Sequence, residues 1–149
     1  MNTEPIQSVA ASPQTTALAA AKEALIREIT SWKGVTTGEH RFGGKGFKIG
    51  HRELGHLHPG FADLPFPLPV RNELIAAGRA TPHHVLPNSG WVTAPMRTVA
   101  QITNVSELFR LNYEIAVHAS QETESDLKAS STKALAKLVS SPANNSPCG

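Results

Sequence analysis

Two long segments of the chain place apolar residues at helical spacing. TTALAAAKEALIREITSW predicts a helix that Thr15 or Thr16 caps, because its apolar residues recur every three or four positions. These residues are Leu18, Ala21, Leu25, Ile29 and Trp32. NVSELFRLNYEIAVHAS carries a broader apolar stripe and predicts a C-terminal helix, capped by Asn104 or Ser106.

The segment between these helices has the pattern of short strands. GVTTGEHRFGGKGFKIGHRELGHLH predicts two or three antiparallel strands, with turns at Gly43-Gly44 and Gly50. PGFADLPFPLP has four prolines, which predict a rigid connector. VRNELIAAG predicts a short helix, and HHVLPNSGWVTAPM a strand, a turn and a strand. This order predicts an α+β fold: an antiparallel sheet of about five strands with N-terminal, short middle and C-terminal helices.

Composition agrees with one domain. The chain has 149 residues, and its aromatic share of 5% predicts a mainly aliphatic core. We expect a disordered tail over residues 1–13, a single domain over 14–120, and a partly helical, then disordered tail over 121–149. Cys148 is the only cysteine, which excludes an intrachain disulfide and a cysteine-based zinc site. The sequence has no apolar run long enough for a membrane span and no secretory signal pattern, so we expect a cytoplasmic protein.

Histidines concentrate in the middle of the chain, where six of the seven lie between residues 40 and 84. If RELGHLH is a strand, His56 and His58 share one face with Leu54, and Glu53 lies on the other face. Asp63 follows within reach of the same site. The sequence therefore predicts a histidine-lined pocket.

An adjacent pair, His83 and His84, lies downstream. Neighbouring residues of a strand point to opposite faces, so we expect at most one of the two to face this pocket.

Several chemistries fit these residues. His56, His58 and Asp63 are the catalytic candidates, and His56, His58 and His84 are the metal-ligand candidates. The histidines fit an acid–base pair, an anion site and a divalent metal site, and they also fit a purely structural role on strand edges. The leading interpretation is a pocket for a small polar ligand or anion, with a divalent metal as one alternative. Further ligand-binding candidates are Arg41, Arg52, Glu53, His83, His84, Ser89 and Trp91.

Three of the other features have two interpretations each. Ser89 is either a nucleophile beside a histidine or part of an Asn-Ser-Gly turn. Trp91 either packs on the sheet or forms a pocket wall. A basic-aromatic patch would be a nucleic-acid surface or a solvated strand face. Its members are Arg41, Phe42, Lys45, Phe47, Lys48 and Arg52. The net charge of +2 does not by itself favour nucleic acid.

The middle of the chain resembles a family of small bacterial and fungal proteins named for a luciferase domain. The resemblance rests on HRFGG, RELGHLH, the PFP that follows Asp63, VRNELI, HH-x-LP-x-SGWV and LFRLNYE, and spans about Gly34 to Tyr113. The arrangement is also similar to the double-wing α+β proteins of the YjbR-like group. The luciferase resemblance implies oxidation of an organic substrate, although the sequence has no flavin motif or nucleotide loop.

Two alternatives to simple ligand binding follow. In an oxidoreductase or monooxygenase, His56 or His58 would be a general base or metal ligand, and Asp63 would orient it. A non-catalytic module would instead bind nucleic acid or protein through its surface. We expect a small-molecule ligand and no membrane partner, and a homodimer through an exposed strand or helix stays an open alternative.

Overall fold

The computed structural model describes residues 12–39 and 43–140, with side chains up to residue 121. Its elements, in chain order, are α1 (Pro13–Ser31), β1 (Val35–Glu39), β2 (Lys45–Ile49), β3 (Arg52–His58), β4 (Phe61–Pro65), α2 (Leu68–Ala76), β5 (Thr81–Pro82), β6 (Trp91–Pro95) and α3 (Val99–Ser140). The strands form one antiparallel sheet in the order β1-β2-β3-β4-β6-β5. The predicted α+β class is confirmed, with six strands where about five were expected.

The chain divides into two compact units, residues 1–113 and 114–149. The first contains the sheet, α1, α2 and the first part of α3, and the second contains the rest of α3. A disordered tail was expected over residues 1–13 and at the end of residues 121–149; of these, residues 1–11 and 141–149 lie outside the described residues, and Pro13 begins α1. Within the described part of the chain, no helix has the length and apolar character that crossing a bilayer requires.

Both long helices begin earlier than the apolar pattern predicted. Ser12 caps α1, since its hydroxyl accepts a hydrogen bond from the backbone N–H of Thr15, and Pro13 occupies the first turn. At α3 the hydroxyl of Thr98 accepts from the N–H of Gln101. The Gln101 side chain in turn accepts from the N–H of Arg97. These polar residues extend each helix beyond its apolar stripe.

The proline-rich segment is where the sequence prediction was wrong. Phe61–Pro65 is strand β4, which lies inside the sheet between β3 and β6. Pro59 precedes this strand and Pro65 is its last residue, so the prolines border the strand and leave its middle free to pair. Asp63 is therefore held by a central strand.

A β-bulge in β3 changes which side chains share a face. Phe47 of β2 pairs with Gly55, and the next residue, Lys48, pairs with Glu53, so Leu54 has no partner in this register. Glu53 then lies on the same face as His56, and Leu54 is buried in the core. The strict alternation assumed from sequence, with Leu54 beside His56 and Glu53 on the other face, was wrong for this reason.

The core fills the space between one sheet face and the helices. Phe47 makes an edge-to-face contact with Phe109 of α3, with ring centroids 5.5 Å apart. Leu25 of α1 and Leu74 of α2 are also buried. Because Phe47 belongs to this core, it is not part of a basic-aromatic surface patch, and Phe42 lies outside the described residues.

Candidate functional site

A row of polar side chains crosses three strands on the sheet face opposite Phe47. His56 of β3 pairs directly with Asp63 of β4, and Asp63 pairs with Thr93 of β6. Directly paired residues point to the same side of an antiparallel sheet, so the three side chains are neighbours. The sheet therefore brings together two residues predicted from sequence, His56 and Asp63, with a threonine that was not predicted.

Asp63 is the centre of a cluster of imidazole rings. Its Oδ2 atom lies 3.4 Å from Nε2 of His56, 3.5 Å from Nε2 of His58 and 3.4 Å from Nε2 of His83. Its other oxygen, Oδ1, accepts a 2.6 Å hydrogen bond from the Thr93 hydroxyl. The Asp63 side chain is only 1% exposed. We call these three histidines and Asp63 the histidine cluster.

Opposing effects act on the Asp63 carboxyl group. Burial disfavours the charged form and by itself would raise its pKa. Hydrogen bonds from His56 and Thr93 and the charges of His83 and His56 outweigh burial, so the pKa of Asp63 lies below its ordinary value of 3.8. Asp63 is therefore a carboxylate at neutral pH.

His56 lies between two carboxylates. Its Nδ1 atom is 3.0 Å from Oε1 of Glu53, and its Nε2 atom faces Asp63. Burial of the ring would lower its pKa, but the hydrogen bonds with Asp63 and Glu53 and the charges of both groups outweigh it. The pKa of His56 is therefore raised above 6.5. The bulge in β3 makes this pair possible, because it turns Glu53 to the face of His56.

His83 has a defined tautomer. Its Nδ1 atom accepts hydrogen bonds from the backbone N–H groups of Val85 and Leu86, both at 3.1 Å. A nitrogen that accepts carries no proton, so the proton of the neutral ring is on Nε2. Because Nε2 faces Asp63, His83 donates toward the carboxylate.

Both members of the His83–His84 pair line the same cavity, so the expectation that at most one would do so was wrong. The pair follows the two-residue strand β5 and lies in a loop, where strand alternation does not apply. The two rings stack with centroids 4.4 Å apart.

The cavity at this site has a volume of about 500 Å³. Its walls combine the histidines and Asp63 with four apolar or aromatic side chains. These four are Phe61, Val85, Leu86 and Trp91. Of them, only Trp91 was a candidate from sequence. Alternation along β4 could have found Phe61, which pairs with His58, but Val85 and Leu86 follow no strand pattern.

The remaining candidates lie around the cavity or away from it. Ser89 stabilises a turn, since its hydroxyl donates to the Leu86 carbonyl and accepts from the N–H of Trp91. Arg52 is exposed at the start of β3, and Glu53 reaches the site through His56. Arg41 lies outside the described residues.

Two groups of side chains in this site have ligand atoms within 4.8 Å of one another. One consists of His56, His58 and Asp63, and the other of Asp63, His83 and His84. The first includes two of the three metal ligands expected from sequence. Imidazole nitrogen and carboxylate oxygen are common ligands of zinc and of iron in proteins.

Comparison with known proteins gives one match, to a family model. No curated protein and no solved structure matched this chain. The model of one protein family, described as the Luciferase domain, matches residues 51–112. This match confirms the resemblance predicted from sequence over that segment. The matched segment, residues 51–112, contains the whole histidine cluster.

Proposed function

We propose that His56, His58 and Asp63 bind a divalent transition-metal ion at the base of a small-molecule cavity. The observation that carries this proposal is the spacing around Oδ2 of Asp63. The nitrogens of His56 and His58 lie 3.4 and 3.5 Å from it. In a tetrahedral site with bonds of about 2.0–2.1 Å, neighbouring ligand atoms are about 3.3–3.4 Å apart. The distances from Asp63 to His56 and His58 are therefore compatible with a ligand set, and the ligand atoms of all three residues lie within 4.8 Å of one another.

The surroundings of these residues support a metal site. Nδ1 of His56 is paired with Glu53, and its Nε2 faces Asp63, where the proposed ion would lie. A carboxylate behind a ligating histidine fixes the ring and increases its basicity. His83 cannot ligate through Nε2 in its assigned tautomer, and we propose that it orients Asp63 by donating to it.

A second candidate function is oxidoreductase chemistry at the same site. Two histidines and one carboxylate that leave coordination positions open are the ligand set of many non-haem iron oxygenases. His56, His58 and Asp63 supply these groups, and they line a cavity in which an organic substrate could approach the ion. The name of the matched family agrees with this alternative.

The test is calorimetric titration of untagged, chelator-treated protein with Zn²⁺, Mn²⁺ and, without oxygen, Fe²⁺. We expect one ion per chain, and loss of at least 100-fold in affinity in His56→Ala and His58→Ala. His51→Ala is the matched control, because His51 is an exposed histidine at the turn before β3. Affinities that are equal in wild type, His56→Ala and His58→Ala, or absence of binding by wild type, would exclude the proposed metal site.

A further inference from the structure

We propose that the occupant of the cavity is an amphiphile, with one oxygen-donor head group and an unbranched or flat apolar body. This inference rests on the proposed metal site, because the ion would bind the head group. It adds the chemical class of the substrate, which the metal ligands alone do not define.

The buried end of the cavity, which we call its base, is formed by the histidine cluster, whose side chains are at most 13% exposed. The histidine cluster surrounds a single carboxylate oxygen there. Among the described lining residues there is no lysine or arginine. A nucleotide or a sugar phosphate would bring several charges, and no lysine or arginine of these described walls would pair with them. One small oxygen head group is what the base can accept.

The walls next to the cluster are aromatic. Phe61 stacks on the ring of His58, with centroids 4.7 Å apart, and Trp91 lies 5.2 Å from the ring of His56. Aromatic walls above a few converging polar groups are typical of sites for organic molecules, and the volume of about 500 Å³ lies in the usual range. A ligand bound at the base would therefore extend between apolar surfaces.

The loop after His83 continues this apolar surface outward. Val85 is 67% exposed and Leu86 is 50% exposed, although both line the cavity. Hydrogen bonds from their backbone N–H groups to His83 hold both residues beside the cluster. Exposed apolar side chains that adjoin a binding site are a contact surface for an apolar ligand. They would cover the outer part of the ligand body.

The experiment uses Trp91 as an internal reporter. The chain has two tryptophans, and Trp32 packs against Tyr113 and does not line the cavity, so Trp32→Phe leaves Trp91 as the single tryptophan, which can be excited selectively at 295 nm. The zinc-loaded Trp32→Phe protein is titrated with octanohydroxamate and acetohydroxamate, which have the same metal-binding head. We expect octanohydroxamate to bind at least 30-fold more tightly, because it buries six more methylene groups.

Variants of the loop test the contact surface. The double substitution Val85→Ser, Leu86→Ser should reduce this preference at least fivefold. Leu68→Ser is the matched control, since Leu68 is 54% exposed and is not among the residues lining this cavity. Equal affinity for the two hydroxamates, or a preference that the double variant retains, would overturn the amphiphile proposal.

Zinc binding is measured on the same protein samples, which separates the two proposals. If zinc binds and chain length has no effect, only the amphiphile proposal fails. If zinc does not bind, the metal site fails, and metal-free protein is titrated with octanoate and acetate. The walls do not depend on the ion, so a preference for octanoate then supports the amphiphile class and equal affinities exclude it.

Discussion

Asn112 of α3 donates a 2.8 Å hydrogen bond from its side-chain nitrogen to the backbone carbonyl of Leu54 in β3. Both residues are buried, and 58 positions separate them in the chain. Leu54 is the bulge residue, which has no partner on β2 in the strand register. The helix therefore stabilises the irregularity that turns Glu53 toward His56.

Replacement of Asn112 by leucine should destabilise the protein by about 1–3 kcal/mol, because the buried Leu54 carbonyl would lose its donor. Urea denaturation measures the change. Thr103→Ala on the same helix is the control, since the exposed Thr103 hydroxyl only donates to the backbone of its own helix. It should change stability by less than about 0.5 kcal/mol. Equal stability of Asn112→Leu and wild type would show that this hydrogen bond does not stabilise the bulge.

Gly55 should not tolerate alanine. Its φ of +149° is unfavourable for other residues, and a Cβ atom there would lie 2.7 Å from the carbonyl oxygen of Asp63 and 3.0 Å from Phe109. Gly55→Ala should therefore cost about 2–5 kcal/mol, from backbone strain and overpacking together. Gly38→Ala in β1 is the control, because a Cβ at Gly38 meets nothing within 4 Å. Thermal unfolding compares the two variants, and similar melting temperatures would contradict the account of Gly55.

Residues behind the proposed ligands should tune metal affinity without abolishing it. Glu53→Gln weakens the partner of His56, and His83→Ala removes the donor that faces Asp63. Each substitution should lower affinity about 10–100-fold, as is typical of groups that orient ligands. Calorimetric titration with Zn²⁺ measures both variants beside His51→Ala. A complete loss in His83→Ala, with the protein still folded, would make His83 a ligand and refute its assigned tautomer.

Without metal, stability should depend on pH through Asp63 and His56. The pKa of Asp63 is below 3.8 in the folded protein, so its contribution is present above about pH 4 and is lost as pH falls through the folded-state pKa. The pKa of His56 is above 6.5, so its contribution is complete below pH 6.5 and is lost as pH rises through the folded-state pKa. Both groups therefore contribute fully to the free energy of unfolding between about pH 4 and pH 6.5.

Asp63→Asn should reduce the pH dependence of stability at both the acidic and the basic limit. It removes the titrating group Asp63 and takes away a partner of His56. Urea denaturation in chelating buffer from pH 3 to 9 measures the effect. His51→Gln is the control and should keep the wild-type profile, since His51 is exposed. If the stability of Asp63→Asn depends on pH in the same way as that of wild type, then Asp63 and His56 do not make folding dependent on pH.

Local patterns predicted much of the fold. The apolar spacing of Leu25 and Ile29 identified α1, and the glycines at 43–44 and 50 lie between strands as expected. Local residue propensity did not predict β4. The four prolines of this segment disfavour a strand more strongly than the short sequence FADL favours one. The pairing of β4 with strands on both sides determines its conformation, and that information lies in distant parts of the chain.

The candidate site was predicted in its residue types better than in its geometry. The clustered histidines and Asp63 lie in segments that the sheet brings together. The faces of Glu53 and Leu54 depend on a bulge that Asn112 supports from α3, and no local pattern encodes it. The orientation of His83 likewise depends on hydrogen bonds from Val85 and Leu86 in a loop.

The ring of His83 contacts both the loop that lines the cavity and the carboxylate of the proposed metal site. One nitrogen holds the backbone of Val85 and Leu86, and the other faces Asp63. An organic molecule that contacts this loop would act on the ring that donates to Asp63, so binding of the molecule and of the ion should be coupled through His83. Thermodynamic linkage makes this coupling reciprocal. If the bound ion changes the affinity for the molecule by some factor, the bound molecule changes the affinity for the ion by the same factor.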